Sequence, residues 1–385
     1  MVTNKTAILH LIETTGPGGA ETVLLNIVRR IDPQEFASQV VVTGAGWLSE
    51  ELHRACVPTT VLVSAGANDW RFVLRLAKLI RELGIELLHS HLPDMNFYAC
   101  LAGLVCRKPV IVTYHGLIGD WQQRTLKNRI KYALIRHVAS AVVTVSDFLR
   151  RELVRTWGFN AEQVRRIYNG VDFRAFDQVP VGVSIRMQFG IPETAPLVGM
   201  VGNIRTPKGY EYFVRAARVV ADKRPACRFL IVGQGKGKLL DELRALITGL
   251  NLEETVILAG FRDDIPSILR QLDVFALSSV SEGLSIATIE AMAAARPVVV
   301  TDSGGPTEIV EDGVTGLVVA PADPEALAEK IMRLLDDPEL ARKFALRAKE
   351  AVRSRFDLDA SVRNYVELYR RCLAGRRAIK QNSKA

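Results

Sequence analysis

No apolar run in these 385 residues approaches the ~20 needed to span a bilayer; the longest, Phe97 to Cys106, reads as a buried helix. Cysteine is sparse. Cys56, Cys100, Cys106, Cys227 and Cys372 are scattered, odd in number and form no C-x-x-C. That excludes a disulfide framework and predicts reduced thiols in a cytoplasmic protein. No dinucleotide loop is present, because Gly233-Gln234-Gly235-Lys236-Gly237 is one residue short of G-x-G-x-x-G, which argues against an oxidoreductase. The only D-x-D, Asp357-Leu358-Asp359, precedes a helical pattern, where carboxylates read as caps and not as metal ligands. No secretion leader is expected, since the opening residues run straight into a strand-like segment, Thr6 to Ile12.

Acid is missing from two stretches. Residues 121–137, from Trp121, carry Arg124, Lys127, Arg129, Lys131 and Arg136 but no Asp or Glu, and Leu126, Ile130, Leu134 and Val138 recur there at helical spacing. Residues 370–385 carry six basic residues and no acid, and a free tail is expected to fray. A basic amphipathic helix suits an anionic membrane surface, or else packs its stripe inward. Nucleic acid is not expected, since no recognition module accompanies the net charge of +8.

What is present is a regular alternation. Strand candidates fall at 6–12, 38–43, 59–63, 86–90, 109–114 and 140–145. A second series falls at 197–202, 228–232, 255–259, 273–278, 297–301 and 315–319, with helical patterns between most of them, including one long stretch at 323–354. Repeated β–α alternation predicts an α/β protein with parallel sheets covered on both faces. The series break at Tyr168-Asn169-Gly170-Val171-Asp172, an Asn-Gly turn followed by the Pro- and Gly-rich region to Pro196. Domains are therefore expected at 1–170 and 171–355, with a terminal helix and tail at 356–385.

The densest chemistry lies in Ser281-Glu282-Gly283-Leu284-Ser285-Ile286-Ala287-Thr288-Ile289-Glu290. Glu282 is expected in a strand-to-helix loop and Glu290 about two turns into the helix. Between them the unpaired amides of a helix start suit a phosphate. Each carboxylate can accept from a pair of sugar hydroxyls. A sugar, a diphosphate and a ribose in a row make a nucleotide-sugar.

This stretch, continued by Glu290-Ala-Met-Ala-Ala-Ala-Arg-Pro-Val-Val-Val-Thr301, resembles the E-x7-E motif of the retaining glycosyltransferases of family 4. The resemblance implies the GT-B fold, two doubly wound Rossmann-like parallel-sheet domains facing across a cleft. The first would bind the acceptor and the second the donor, and the last helix would cross back toward the first. It implies that Glu282 contacts the donor sugar, that Gly283, Leu284, Ser285 and Ile286 meet sugar and diphosphate, and that Glu290 holds the ribose. Gly16-Pro17-Gly18-Gly19-Ala20-Glu21 resembles the family's G-G-A-E turn, which places Gly18 and Gly19 at the donor phosphates and acceptor. Val201-Gly202-Asn203-Ile204-Arg205-Thr206-Pro207-Lys208-Gly209 resembles the G-R-L-x-x-x-K-G loop. Lys208 matches the diphosphate lysine. Asn203 stands where the family has Arg, and whether Arg205 supplies that charge is open. Phe261 and Arg262, in Gly260-Phe-Arg-Asp-Asp264, match a loop that cradles the base; Asp264 also reads as a helix cap. His115, in Val112-Thr-Tyr-His-Gly116, corresponds to a histidine at the donor-sugar end. His89 and His91 could pair on a metal, but no third ligand is evident, so they read as acceptor-side or strand-end residues.

The function implied is a hexosyltransferase-like, retaining, metal-independent transfer from a nucleoside-diphosphate sugar to a sugar, glycolipid or other hydroxyl acceptor, in cell-surface polysaccharide or glycolipid synthesis. His115, Arg205, Lys208 and Glu282 would be the catalytic set, with no cofactor. The expected location is cytoplasmic, with peripheral attachment to the inner membrane face left open. The alternatives are another GT-B enzyme, a nucleotide-sugar epimerase or sugar phosphorylase, or a non-catalytic scaffold.

Overall fold

The computed structural model describes residues 5–64, 66, 69–116, 123–177 and 184–382, with side chains described to Gly375. The chain forms two compact units, Met1–Gly170 with Leu358–Ala385, and Val171–Asp357.

Unit 1 is built on seven parallel strands: β1 (Thr6–Ile12), β2 (Phe36–Val42), β3 (Thr59–Val61), β4 (Leu87–His91), β5 (Val110–Tyr114), β6 (Ala141–Thr144) and β7 (Val164–Arg166). Their order is β3-β2-β1-β4-β5-β6-β7. Unit 2 has six: β8 (Leu197–Val201), β9 (Arg228–Val232), β10 (Val256–Gly260), β11 (Val274–Leu277), β12 (Val298–Thr301) and β13 (Leu317–Val319), in the order β10-β9-β8-β11-β12-β13. The central strands are buried end to end, as in Leu197-Val-Gly-Met-Val201 and Val110-Ile-Val-Thr-Tyr114. Helices on both faces demand such unbroken apolar runs. Strand order reverses between β1 and β4 in one unit and between β8 and β11 in the other. Each reversal opens a crevice at the carboxyl ends of the strands, where ligands of such sheets bind.

The strand readings hold within a few residues, with one omission. β7 was not foreseen, because Arg165 and Arg166 are exposed on this three-residue edge strand. The stretch read as one helix at 323–354 is two, Pro324–Asp336 and Pro338–Arg355. Asp337 ends the first, and its carboxylate accepts from the Leu340 amide at 2.9 Å to start the second, with Pro338 in the first turn.

The tail does not fray where expected: the last helix runs Leu358–Asn382 and belongs to unit 1. It packs along the helix Gly19–Arg30. Asp359 pairs with Arg30 at 3.4 Å, and the Arg370 guanidinium forks onto Glu35, with Nε at 2.8 Å. Tyr365 and Tyr369 are fully buried beneath it.

The basic helix is Leu126–Val138; Trp121 lies outside the described residues. Its stripe does not simply pack inward. Tyr132 and Ile135 are buried, but Leu126 is 72% and Ile130 57% exposed.

Candidate active site

In unit 2 three loops converge at the reversal point. Lys208 ends a 3₁₀ turn, Thr206–Lys208, after β8. Gly209 follows at φ +59°, and a Cβ there would lie 2.4 Å from the Ser278 carbonyl beyond β11. The two loops can touch only because Gly209 has no side chain. Ser278 Oγ secures the contact by donating to the Gly209 carbonyl at 2.8 Å. This approach brings Lys208 Nζ to 2.6 Å from Glu282 Oε2. Ser279 Oγ donates to the same oxygen at 3.2 Å. The third loop, after β12, pins the backbone: the Glu282 amide donates to the Ser303 carbonyl, and the Gly305 amide to the Glu282 carbonyl, both at 2.9 Å. A Cβ on Gly305 would come within 2.1 Å of the Gly283 carbonyl. Glu282 is thus fixed in position before any ligand arrives, and one of the three Lys208 protons is already committed to it.

The helix Ile286–Ala293 begins beside this pair. Ser285 caps it, accepting from the Thr288 amide at 3.3 Å and from Thr288 Oγ1 at 2.9 Å. Among the described residues the amides of Ile286 and Ala287 have no acceptor. They are two open donors at the positive end of the helix. Glu290 sits little more than one turn in, not two, because Gly283 to Ser285 stay outside the helix. Burial pushes its carboxyl up to about 7, and no basic side chain among the described residues lies within ion-pair distance. Gly283 and Leu284 are buried, forming the floor of the loop.

The other sequence-named residues divide. Arg205 is exposed and makes no ion pair among the described residues. Asn203 Oδ1 accepts from the Gln234 amide at 3.1 Å, tying the β8 loop to the β9 loop. Arg262 is occupied: its guanidinium forks onto Asp264 at 2.8 and 2.7 Å and reaches Gln188 Oε1 at 3.0 Å. Asp264 stands at the cap position of the helix Ile265–Arg270 but makes no cap bond, because Arg262 holds its carboxylate. Phe261 presents its ring, 46% exposed.

In unit 1, Gly18 caps the helix Gly19–Arg30 at the carboxyl end of β1, and Glu21 folds back over it. His115 follows β5. Its Nε2 lies 2.9 Å from His91 Nδ1, with the rings stacked at 5.2 Å. Burial holds His115 down to about 3, so it is a neutral imidazole at pH 7. Sequence reasoning found no third partner for His89 and His91. The structure supplies one: His10 of β1 stands in register with His89 of β4. Strand alternation over two neighbouring parallel strands was the available signal. The serines at 278, 279 and 303, which support Glu282, carried none.

Comparison with known proteins agrees with this geometry. The family described as Glycosyltransferase Family 4 matches residues 17–174, and the one described as Glycosyl transferases group 1 matches 184–351. An alpha-D-kanosaminyltransferase of Streptomyces kanamyceticus is 32% identical over 78% of this chain and 81% of its own. A UDP-Gal:alpha-D-GlcNAc-diphosphoundecaprenol alpha-1,3-galactosyltransferase of Escherichia coli is 24% identical over 88% and 90%. The Anabaena HepE structure in complex with UDP-glucose superposes with a TM-score of 0.86, at 25% identity over 94% of this chain and 99% of that one. With both sheets, the Lys208–Glu282 pair and these matches in hand, the chain belongs to the family 4 glycosyltransferases of GT-B fold.

Proposed function

We propose that this glycosyltransferase moves a sugar from a uridine diphosphate donor to an acceptor hydroxyl, with retention of configuration and without a divalent cation, in the synthesis of a cell-surface polysaccharide or glycolipid. The carrying observation is the row formed by Lys208–Glu282, the open amides of Ile286 and Ala287, and Glu290. It matches the sugar, diphosphate and ribose of a donor in order. The uridine reading is supported by HepE, solved with UDP-glucose, and by the UDP-Gal-named relative. Lys208, the exposed Arg205 and the helix amides meet the diphosphate charge, so added Mg²⁺ or Mn²⁺ leaves the rate unchanged. The leaving diphosphate takes the proton of the acceptor hydroxyl on the face it departs from, which retains configuration. The protein contributes positioning and leaving-group stabilisation.

The test is a panel of nucleotide-sugars incubated with the protein without acceptor or metal, followed by thermal shift and by slow release of nucleoside diphosphate. A UDP-sugar that both stabilises and is hydrolysed is expected. A panel in which no donor stabilises the chain overturns the reading.

Attachment to an anionic membrane is supported by Leu126 and Ile130, exposed on either side of the exposed cations Lys127 and Arg129. Cosedimentation with phosphatidylglycerol vesicles is expected to fall several-fold in Leu126→Ser/Ile130→Ser. Equal sedimentation of variant and parent refutes the attachment.

A further inference from the structure

The face of the unit 1 sheet beneath the last helix carries three imidazoles to which the proposed transfer assigns no role. His10, His89 and His91 are fully buried on β1 and β4, and one ring nitrogen from each lies within 4.8 Å of the other two. We propose that these three histidines form a buried site for one divalent transition-metal ion, Zn²⁺ by ligand chemistry, which links β1 to β4 beneath the last helix and takes no part in sugar transfer.

The bonding around the rings has the required pattern. A ligating histidine uses one nitrogen for the metal and orients the ring through the other. His91 Nδ1 meets His115 Nε2 at 2.9 Å, leaving His91 Nε2 buried without a partner. His10 Nε2 meets Ser38 Oγ at 3.4 Å, leaving His10 Nδ1 equally unpartnered. Each such buried orphan has lost its water without gaining a partner, and coordination would supply one. His89 is bonded at both nitrogens, to Tyr369 Oη at 2.7 Å and to Thr113 Oγ1 at 2.9 Å. It must release one of them, which makes it the adjustable ligand. Nitrogens bound at ~2.1 Å to a tetrahedral ion lie about 3.4 Å apart, so the rings close in by small rotations.

Burial holds all three imidazoles in the neutral form that metals bind. The same burial opposes a bare dication, so the fourth position takes a hydroxide formed from a bound water, whose proton leaves for solvent. An all-imidazole set selects Zn²⁺, Co²⁺, Ni²⁺ or Cu²⁺ over Mg²⁺ and Ca²⁺.

The test uses the full chain without a histidine tag, stripped with chelator, reloaded with Zn²⁺ and freed of excess by gel filtration. About one Zn²⁺ per chain and a raised Tm are expected, and Co²⁺ in its place should show the intense visible band of a tetrahedral site. His10→Gln and His91→Gln lose the metal, while His137→Gln, on the surface, retains it. Less than about a tenth of an equivalent on the parent chain overturns the proposal, as does a full equivalent in both buried variants. Should those variants fail to fold, the Co²⁺ band of the parent decides: an octahedral spectrum refutes the site.

Discussion

Lys208→Ala is expected to lower turnover at saturating donor by about 10²–10³-fold, the usual cost of losing one aimed charge at a developing anion. The effect has two sources. The ammonium that meets the departing diphosphate is gone. Glu282 also loses its partner at 2.6 Å and keeps only the Ser279 hydroxyl, so a half-shielded carboxylate is left facing a dianion. Because Lys208 and Glu282 keep only 21% and 14% of their side-chain surface exposed, stranding Glu282 should also lower Tm, and turnover is compared well below that midpoint. Lys208→Ala/Glu282→Ala removes the repulsion but not the deficit, so it should stay as slow as the single variant. Turnover of Lys208→Ala within a few-fold of the parent would sink the diphosphate assignment.

Glu290→Ala is expected to weaken nucleotide-sugar binding by about 10–100-fold, since bonds to an ionised carboxylate contribute ~1.5–3 kcal/mol. The pH dependence is the sharper signature. The Glu290 carboxyl is raised to about 7 by burial, and only its ionised form accepts from both ribose hydroxyls. Donor affinity should therefore rise as pH passes upward through 7. A nucleotide-sugar is the right probe, because its diphosphate carries no proton that titrates there. Stability of the free chain runs the other way. The folded state keeps a proton that the unfolded chain releases near 4.5, so stability falls between that pH and about 7, by no more than ~3 kcal/mol, and levels off above. Glu290→Gln should flatten both profiles. A parent affinity unchanged from pH 6 to 8 would remove Glu290 from the ribose.

How far the sequence can be read depends on how local each cause is. Val298-Val-Val-Thr301 and Phe229-Leu-Ile-Val232 announce buried parallel strands because both faces of each are covered. Val164-Arg-Arg166 announces nothing, because an edge strand needs only one apolar contact. Pro338 was visible, but that Asp337 closes one helix and caps the next follows only from its rotamer. In the site, the residue types around Glu282 and Glu290 are legible as a motif. The Lys208–Glu282 bond is not, since it joins loops 74 positions apart and exists because β8 and β11 are neighbours. His10 went unpaired for the same reason: its relation to His89 is a matter of sheet order. Arg262 illustrates the converse. The resemblance put it in the loop that cradles the base, and nothing in the sequence showed that its guanidinium forks onto the carboxylate two residues on.

The placement of the last helix has a consequence for synthesis. Unit 2 is continuous, and its ends meet where the Val171 amide bonds to the Phe356 carbonyl at 2.8 Å. It can close as soon as its last residues are made. Unit 1 begins first on the ribosome yet finishes last, because Tyr365 and Tyr369 cover the face of β1 and β4 that the nascent chain otherwise leaves open. Until residue 369 emerges, a sheet with His10, His89 and His91 uncovered must wait. A chaperone that shields that face would act at this stage of the chain's life and not in the finished enzyme.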